Sequence, residues 1–181
     1  GNEEQCKQQM GVVLGDIDFY KLKRISDITA VTKRFYTDWD ETAYKKYLQA
    51  FELDPKKRVN QLSSGMKVKY MLAMALSHNA RLLILDEPTS GLDPVSRDDL
   101  LSLFRQLVND GTRSILFSTH ITSDLEKCAD DIAYIKDGKL LACAEKQSFV
   151  QSFQHLRELD ETGELSLEDI MIRTERRQYD V

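Results

Sequence analysis

Two short aliphatic runs, separated by one segment of helix length, constrain the fold of this chain most. Residues 82 to 85 read Leu-Leu-Ile-Leu and residues 114 to 117 read Ser-Ile-Leu-Phe, which is typical of strands buried on both faces. Between them, Asp93-Pro94 supplies a cap and a first-turn proline for a helix, and residues 109 to 111, Asn-Asp-Gly, end it. A crossover of this length joins parallel strands. The sequence therefore predicts an α/β fold.

Further segments extend this architecture. The patterns predict a strand from Met10 to Leu14, a helix from Glu41, a second from about Gly65 to Asn79, a helix from 145 to 159, and a last helix starting at residues 166 to 169. Between the second and third of these helices, Asp137-Gly138 favours a β-hairpin of residues 132 to 135 and 140 to 144. We expect a mostly parallel sheet that ends in an antiparallel hairpin.

Composition excludes some classes of protein. The chain has 181 residues, 41% of them hydrophobic, and a net charge of −5, which argues against a general nucleic-acid binder. The basic runs at residues 56 to 58 and 173 to 177 are short, and we interpret both as solvated faces. Cys6, Cys128 and Cys143 show no C-x-x-C spacing, so we expect thiols of a reducing compartment. No apolar run is long enough to cross a membrane, and we expect a soluble chain.

Charged side chains follow both central strands. Asp86 and Glu87 end the first, and His120 follows the second. Ligands gather where parallel strands end, and phosphoryl transfer to water needs a metal ligand and a group that orients the water. Asp86 suits Mg²⁺ and Glu87 suits the water, while His120 could bind a γ-phosphate or the same water. The alternatives are acidic caps after a core strand and a structural histidine.

A second anion site is predicted at the start of the helix near Gly65. Ser63, Ser64 and Gly65 offer hydroxyls and free amides at a positive helix end, although any helix N-cap shares these features. The order and spacing of the motifs favour a functional site over an ordinary helix cap. Asp86 lies 21 positions after Gly65 (86 − 65), and His120 lies 33 positions after Glu87 (120 − 87).

With these motifs in this order, the chain resembles the ATP-binding subunit of ABC transporters. Residues 62 to 66 are similar to the family's signature loop, 82 to 87 to its Walker B strand, 90 to 93 to its D-loop, and His120 to its switch histidine. The aromatic run at residues 35 to 39 and Met66 most resemble bacterial exporters of the bacitracin-resistance or antibiotic-efflux kind.

The resemblance implies a partial P-loop NTPase fold: an α/β core of residues 1–17 and 80–150, a helical subdomain at 18–79 and a C-terminal helical extension at 151–181. It also implies ATP and Mg²⁺ bound between two such subunits, on the inner face of a bacterial membrane, with a membrane permease as partner. The implied roles are Asp86 for magnesium, Glu87 as hydrolytic base, His120 as γ-phosphate sensor, Asp93 as cross-subunit contact, and Ser63, Ser64, Gly65 and Met66 as contacts to the partner's nucleotide.

Three departures accompany the resemblance. The sequence contains no G-x-x-x-x-G-K-[ST] phosphate loop, so we expect this chain alone to bind nucleotide weakly or not at all and to be inactive. Gly15 and Asp16 stand where the family's Q-loop glutamine is expected, and Ser64 replaces a signature glycine.

Two other functions remain open. One is a soluble ABC-type ATPase acting in translation or chromosome maintenance. The other is a non-catalytic module that docks a partner helix through aromatic side chains of its helical region. For the cytoplasmic loop of a permease, the helical subdomain offers an amphipathic docking surface of Phe35, Tyr36, Trp39 and Tyr44. The alternative is that these residues fill the core of the subdomain.

Overall fold

The computed structural model describes residues 2–14, 20–157 and 162–175, which fall into two compact units, residues 1–120 and 121–181. The helices and strands of the first unit are α1 (Asn2–Gln8), β1 (Met10–Leu14), α2 (Ile25–Thr32), α3 (Glu41–Ala50), α4 (Ser64–Ser77), β2 (Leu82–Asp86), α5 (Pro94–Val108) and β3 (Ser114–Ser118). Those of the second are α6 (Thr122–Cys128), β4 (Asp131–Lys136), β5 (Lys139–Glu145), α7 (Lys146–Ser152) and α8 (Leu167–Glu175). Short 3₁₀ turns cover Lys33–Phe35, Val59–Gln61 and Gln154–Leu156.

The first unit is built on a parallel sheet in which β2 lies between β1 and β3. The register aligns Leu14, Asp86 and Ser118 across the three strands. The predicted parallel arrangement is therefore confirmed, and Asp93 caps α5 with Pro94 in its first turn, as the sequence indicates.

One face of this sheet is buried against helices. The side chains on this face are almost fully buried at Val13, Leu83 and Leu85. The Phe104 ring of α5 lies 5.9 Å from the Phe117 ring of β3. Helix α4 packs so closely on β1 that a Cβ on Gly11 would clash with Ala75 and lie 2.8 Å from Leu83 Cδ2. A glycine on the inner face of β1 thus permits the close approach of α4.

The opposite face is open. Val12, Leu14 and Leu116 are 54%, 51% and 59% exposed, because no element of the described residues shields them. The prediction that the central strands are buried on both faces was wrong for this reason. Periodicity identifies a strand from its sequence, but not the number of layers that cover it.

Helices α2, α3 and α4 surround a second core in the first unit. Its buried members include Ile25, Tyr44, Leu48, Val59 and Tyr70. Thr29 Oγ1 lies within hydrogen-bond distance of both buried tyrosine hydroxyls, 2.7 Å from Tyr44 and 3.0 Å from Tyr70, so the polar atoms in this core satisfy one another. The sequence did not indicate α2.

The four aromatic residues proposed as a docking surface divide between core and surface. Tyr44 is buried and Trp39 packs beside it. Tyr36 stacks on the buried His78 ring, with centroids 3.7 Å apart. Phe35 alone of the four is largely exposed.

The second unit contains the predicted hairpin of β4 and β5. Asp137 and Gly138 have φ values of 49° and 71°, as a primed two-residue turn requires. The predicted helix at 145–159 is interrupted: α7 ends at Ser152, because Phe153 leaves the helical conformation and its ring packs 5.0 Å from that of Phe149. The last helix starts as predicted, with Ser166 and Asp169 hydrogen-bonded to each other.

Within the described ranges, none of the helices combines the length and the apolar character needed to cross a bilayer. Gly15 and Asp16 lie outside the described residues. The division into an α/β core, a helical subdomain and a C-terminal extension stays a prediction.

Candidate functional site

The ends of β2 and β3 place two polar side chains next to each other. Asp86 and Ser118 are register partners in the parallel ladder, and Ser118 Oγ donates a hydrogen bond to Asp86 Oδ1 over 2.6 Å. Sequence reasoning missed Ser118, although it ends the strand that leads to His120. This hydroxyl holds one oxygen of the carboxylate and leaves the other free to bind a ligand.

Glu87 turns away from the strand that precedes it. Its φ is +45°, in the left-handed region, which costs a residue other than glycine about 1–3 kcal/mol. Ser118 opposes this strain, because its backbone oxygen and Oγ accept the Glu87 N–H over 3.2 and 3.1 Å. The Ser90 N–H in turn donates to the Glu87 carbonyl over 3.1 Å. The carboxylates of Asp86 and Glu87 have different partners, Ser118 for the first and His120 for the second.

Glu87 and His120 meet through their side chains. His120 Nδ1 lies 2.9 Å from Glu87 Oε1. Because an ionised carboxylate can only accept, the imidazole is the donor in this bond when Glu87 is charged. The Glu87 side chain is 34% exposed and that of His120 is 71% exposed, so the pair opens to solvent on the histidine side.

The second Glu87 oxygen has no partner among the residues that the structure describes. Oε2 is buried, and none of the described residues donates to it. A buried carboxylate oxygen is costly unless it accepts a hydrogen bond or binds a cation. The atom therefore suits a water molecule or a metal-bound ligand.

The carboxylates of Asp86 and Glu87 have the donor chemistry that Mg²⁺ prefers. No group of three or more histidine, cysteine, aspartate or glutamate side chains gathers around a metal-sized space among the residues that the structure describes. Mg²⁺ commonly binds through one or two carboxylates and takes its other ligands from water and phosphate. The residues at this sheet edge fit that mode of binding.

The predicted second anion site forms the first turn of α4. Ser63 is the N-cap, and its side chain accepts the Met66 N–H over 3.2 Å. A Cβ on Gly65 would lie 3.6 Å from Leu92 Cδ2 and 3.8 Å from Ser96 Cβ, which is ordinary contact. Packing within the chain therefore does not require a glycine at this position.

A hollow of about 130 Å³ opens beside this turn, lined by Phe51, Glu52, Ser63, Gly65, Met66, Lys69 and Ser96. Lys69 follows the first turn of α4 and was not singled out from the sequence, where lysine is an ordinary helix residue. The lysine, the two serines and the start of the helix suit an anion, while Glu52 adds one negative charge to the lining.

The Asp93 side chain caps its own helix. Its Oδ1 accepts the backbone N–H groups of Val95 and Ser96, each over 3.1 Å. Hydrogen bonds from Ser96, first of all from its side chain, hold the pKa of Asp93 below its ordinary value. The carboxylate is therefore ionised at neutral pH.

The structure thus brings Asp86, Glu87 and His120 together at the ends of β2 and β3. Ser63, Ser64, Gly65 and Met66 form a separate site at the start of α4. Within the described part of the chain, no hydrogen bond or ion pair links the two groups. The two sites of one chain therefore do not form a single continuous cluster.

Comparisons with known proteins show which family this chain belongs to. The family described as "AAA domain, putative AbiEii toxin, Type IV TA system" matches residues 20–123. The ABC transporter ATP-binding protein YtrB of Bacillus subtilis (strain 168) is 32% identical over 123 residues, which cover 68% of this chain and 41% of that protein. The bacitracin transport ATP-binding protein BcrA of Bacillus licheniformis is 31% identical over 142 residues, 77% of this chain and 46% of that protein.

The fold has a close counterpart among solved structures. A structure titled "Structure of ATP binding subunit of ABC transporter" superposes with a TM-score of 0.74 at 24% identity, over 96% of this chain and 71% of that one. The chain spans less than half the length of either curated relative.

Proposed function

Since this chain belongs to that AAA-domain family and its curated homologues are ATP-binding proteins of ABC transporters, we propose that it supplies the Walker B edge and the signature turn of an ATPase that drives a membrane permease. The observation that carries the proposal is the pairing of Glu87 with His120 beside Asp86, with a buried Glu87 oxygen to which none of the described residues donates. The family implies nucleotide and Mg²⁺ in general, and the roles of individual residues are part of the proposal.

Asp86 holds the metal in this proposal. Ser118 fixes one of its oxygens and thereby orients the other. When bound, Mg²⁺ neutralises charge that develops on the phosphate oxygens. An exposed aspartate at the end of a parallel strand can meet a phosphate held by another segment or subunit.

Glu87 acts as the general base. Its Oε2 accepts a hydrogen bond from the attacking water and then its proton, while the His120 imidazole holds Oε1. The Asp86 carboxylate is bonded to Ser118 and the Glu87 carboxylate to His120, so one serves the metal and the other serves the water.

His120 can reach a γ-phosphate only by changing its protonation or its position. In a neutral imidazole that donates from Nδ1 to Glu87, Nε2 is an acceptor and cannot donate to a phosphate oxygen. Contact with phosphate therefore requires the imidazolium form or release of the Glu87 bond. This requirement would couple the arrival of nucleotide to the orientation of the base.

The nucleotide of a second ATP-binding subunit binds at Ser63, Ser64, Gly65 and Met66. Its phosphates meet hydrogen-bond donors and positive charge from the start of α4, the Ser63 hydroxyl and Lys69. Gly65 allows a ligand to approach the backbone closely. Asp93, whose Oδ1 is occupied by its own helix, would use its remaining lone pairs for the cross-subunit contact.

We propose a membrane permease and a second ATP-binding subunit as partners, a peripheral position on the inner face of the cell membrane, and no nucleic acid. BcrA is named for bacitracin transport, and antibiotic export is the transport class that this likeness favours. The exposed Phe35 and Val31, four residues apart, offer the permease an apolar contact.

The test is Glu87→Gln in the full-length gene product, assembled with its permease in proteoliposomes. Loss of the base should lower ATP hydrolysis about a hundredfold or more, while nucleotide binding persists and transport stops. The control is Glu126→Gln, which changes an exposed glutamate of the second unit.

Hydrolysis at the wild-type rate in Glu87→Gln would contradict the assigned base. ATP-dependent activity on ribosomes or DNA, with no transport by the wild type, would favour a soluble ABC-type ATPase. A partner that binds equally well with and without Glu87, and without ATP turnover in the wild type, would favour a docking module.

A further inference from the structure

Two basic segments that are far apart in the sequence lie side by side in the first unit. The Val59 N–H donates to the Lys23 carbonyl over 3.1 Å, and the Asn60 N–H donates to the Lys21 carbonyl over 3.0 Å. Arg24 and Arg58 form an isolated antiparallel bridge between the segments. Residues 21–24 and 56–58 therefore form one basic patch, consisting of Lys21, Lys23, Arg24, Lys56, Lys57 and Arg58. The sequence alone suggested only short solvated runs.

The patch concentrates positive charge on a chain whose net charge is −5. Arg24 and Arg58 lie directly opposite each other, and like charges at such positions destabilise a strand pair. Among the described residues neither arginine forms an ion pair. Asp27 and Asp54 are the nearest acidic residues described along the chain, and Asp54 already accepts the Lys56 N–H over 2.9 Å. The two arginines therefore have no acidic partner among the described residues, as expected for a surface that meets an anionic partner.

Two apolar side chains alternate with the lysines at the edge of the patch. Tyr20 and Leu22 are 58% and 69% exposed. Exposed aromatic and aliphatic side chains among basic residues are typical of protein surfaces that rest in the headgroup region of a bilayer. A nucleic-acid surface would instead need a larger basic area on a less acidic chain.

We infer that the patch, with Tyr20 and Leu22, binds the anionic surface of the membrane directly, through lipid phosphate headgroups. Basic clusters of four to eight residues bind anionic leaflets in this way, and each charge contributes about a fivefold gain in affinity. The inference deepens the proposed function by naming the surface of the ATP-binding subunit that meets lipid. It requires neither nucleotide nor a second subunit.

The experiment is co-sedimentation of the full chain with phosphatidylcholine vesicles, with and without phosphatidylglycerol. We expect binding that depends on phosphatidylglycerol and weakens as salt is added. The triple change Lys23→Gln, Arg24→Gln, Arg58→Gln should lower affinity about a hundredfold. The matched control Lys45→Gln, Lys46→Gln, Arg105→Gln removes three exposed charges elsewhere and should bind as the wild type does.

A second pair of variants tests the apolar part. Leu22→Ser should weaken vesicle binding severalfold, and Leu140→Ser, at an equally exposed leucine of the β4–β5 hairpin, should not. Circular dichroism and thermal unfolding check that each variant remains folded. Binding to neutral vesicles measures any attachment through the open apolar face of the sheet, because that attachment does not depend on lipid charge.

Three results would overturn the inference. One is equal binding of the wild type and the patch triple. Another is full competition by inorganic phosphate at the headgroup concentration, which would indicate a site for free anions. The third is binding to a short DNA duplex, sensitive to the patch triple, without binding to vesicles. Loss of ATP hydrolysis in Glu87→Gln alongside unchanged vesicle binding would leave both proposals standing, since the two assays measure different sites.

Discussion

At the scale of single residues, the candidate site depends on how Glu87 is held. Two Ser118 oxygens accept the N–H of its strained backbone, and the His120 imidazole holds Oε1. Oε2 is buried, and none of the described residues donates to it. Strain of this kind persists only where surrounding contacts oppose it. A general base must be held within reach of its water, and these three contacts provide that positioning.

Gly65 allows stability to be separated from function. Its backbone is helical and a Cβ would meet only ordinary contacts, so Gly65→Ala should leave folding unchanged or stabilise it by about 0.5 kcal/mol. In the full-length dimer the added methyl group should obstruct the partner's nucleotide and lower ATP hydrolysis at least tenfold. Urea unfolding and steady-state hydrolysis, measured on the same preparations, check both halves.

Ser102→Ala is the control for Gly65→Ala, because it makes a small change at an exposed position of α5 that belongs to neither site. If Gly65→Ala hydrolyses ATP at the wild-type rate, the signature turn does not approach a ligand closely. If it unfolds more easily, the glycine is required by the fold instead.

The order of strands and helices along the chain made some site residues predictable and left others hidden. Asp86, Glu87 and His120 were predictable because two buried strands in a crossover must end at one sheet edge. Ser118 and Lys69 were not, because a serine at a strand end and a lysine in a helix are too common to stand out. The left-handed φ of Glu87 was also not predictable, since only glycine, asparagine and aspartate signal that conformation in a sequence.

At the scale of elements, helix α4 links the two sites. Its first turn carries the signature residues, and its later turns pack on β1, next to the strand that carries Asp86. The sequence predicted α4, α5 and the three strands, because their apolar periodicity is regular. It did not predict α1, which has no buried residue, or α6, which buries only Asp124.

The contact of α4 with β1 predicts a large effect at Gly11. A methyl group there would clash with Ala75 and press on Leu83, so Gly11→Ala should destabilise the first unit by about 1–3 kcal/mol. Denaturant unfolding followed by the fluorescence of Trp39, in the same unit, measures the loss.

Val12→Thr is the matched control, because Val12 is the next residue on β1, lies on the open face and keeps its β-branched shape. It should change stability by less than about 0.5 kcal/mol. Equal losses in the two variants would mean that α4 can move away from β1 at little cost.

At the scale of the whole molecule, the two sites of one chain are proposed to serve two different nucleotides. Among the described residues the groups at β2 and at α4 do not join, so under the proposed function a second copy or a relative completes each site. The permease, the nucleotide and the membrane would then act on separate surfaces of the same subunit.

Mixing two impaired variants tests this arrangement. Full-length Glu87→Gln and Gly65→Ala should each hydrolyse ATP much more slowly than the wild type, but a mixed dimer contains one site with an intact base and an intact signature turn. If the copies pair at random and the sites act independently, an equal mixture should regain about a quarter of wild-type hydrolysis. An ATPase titration of one variant into the other measures the recovery.

A mixture no more active than its components would mean that both residues serve the same nucleotide within one chain. The control is Glu87→Gln mixed with Glu87→Asn, which cannot complement because both copies lack the base.

The open apolar face of the sheet has a consequence for handling the molecule in the laboratory. Val12, Leu14 and Leu116 stand in contact with water, and apolar surface of this kind is attracted to any additive that shelters it. These 181 residues are therefore expected to need mild detergent during purification. A dye that fluoresces when bound to apolar surface should lose its signal when another polypeptide binds this face.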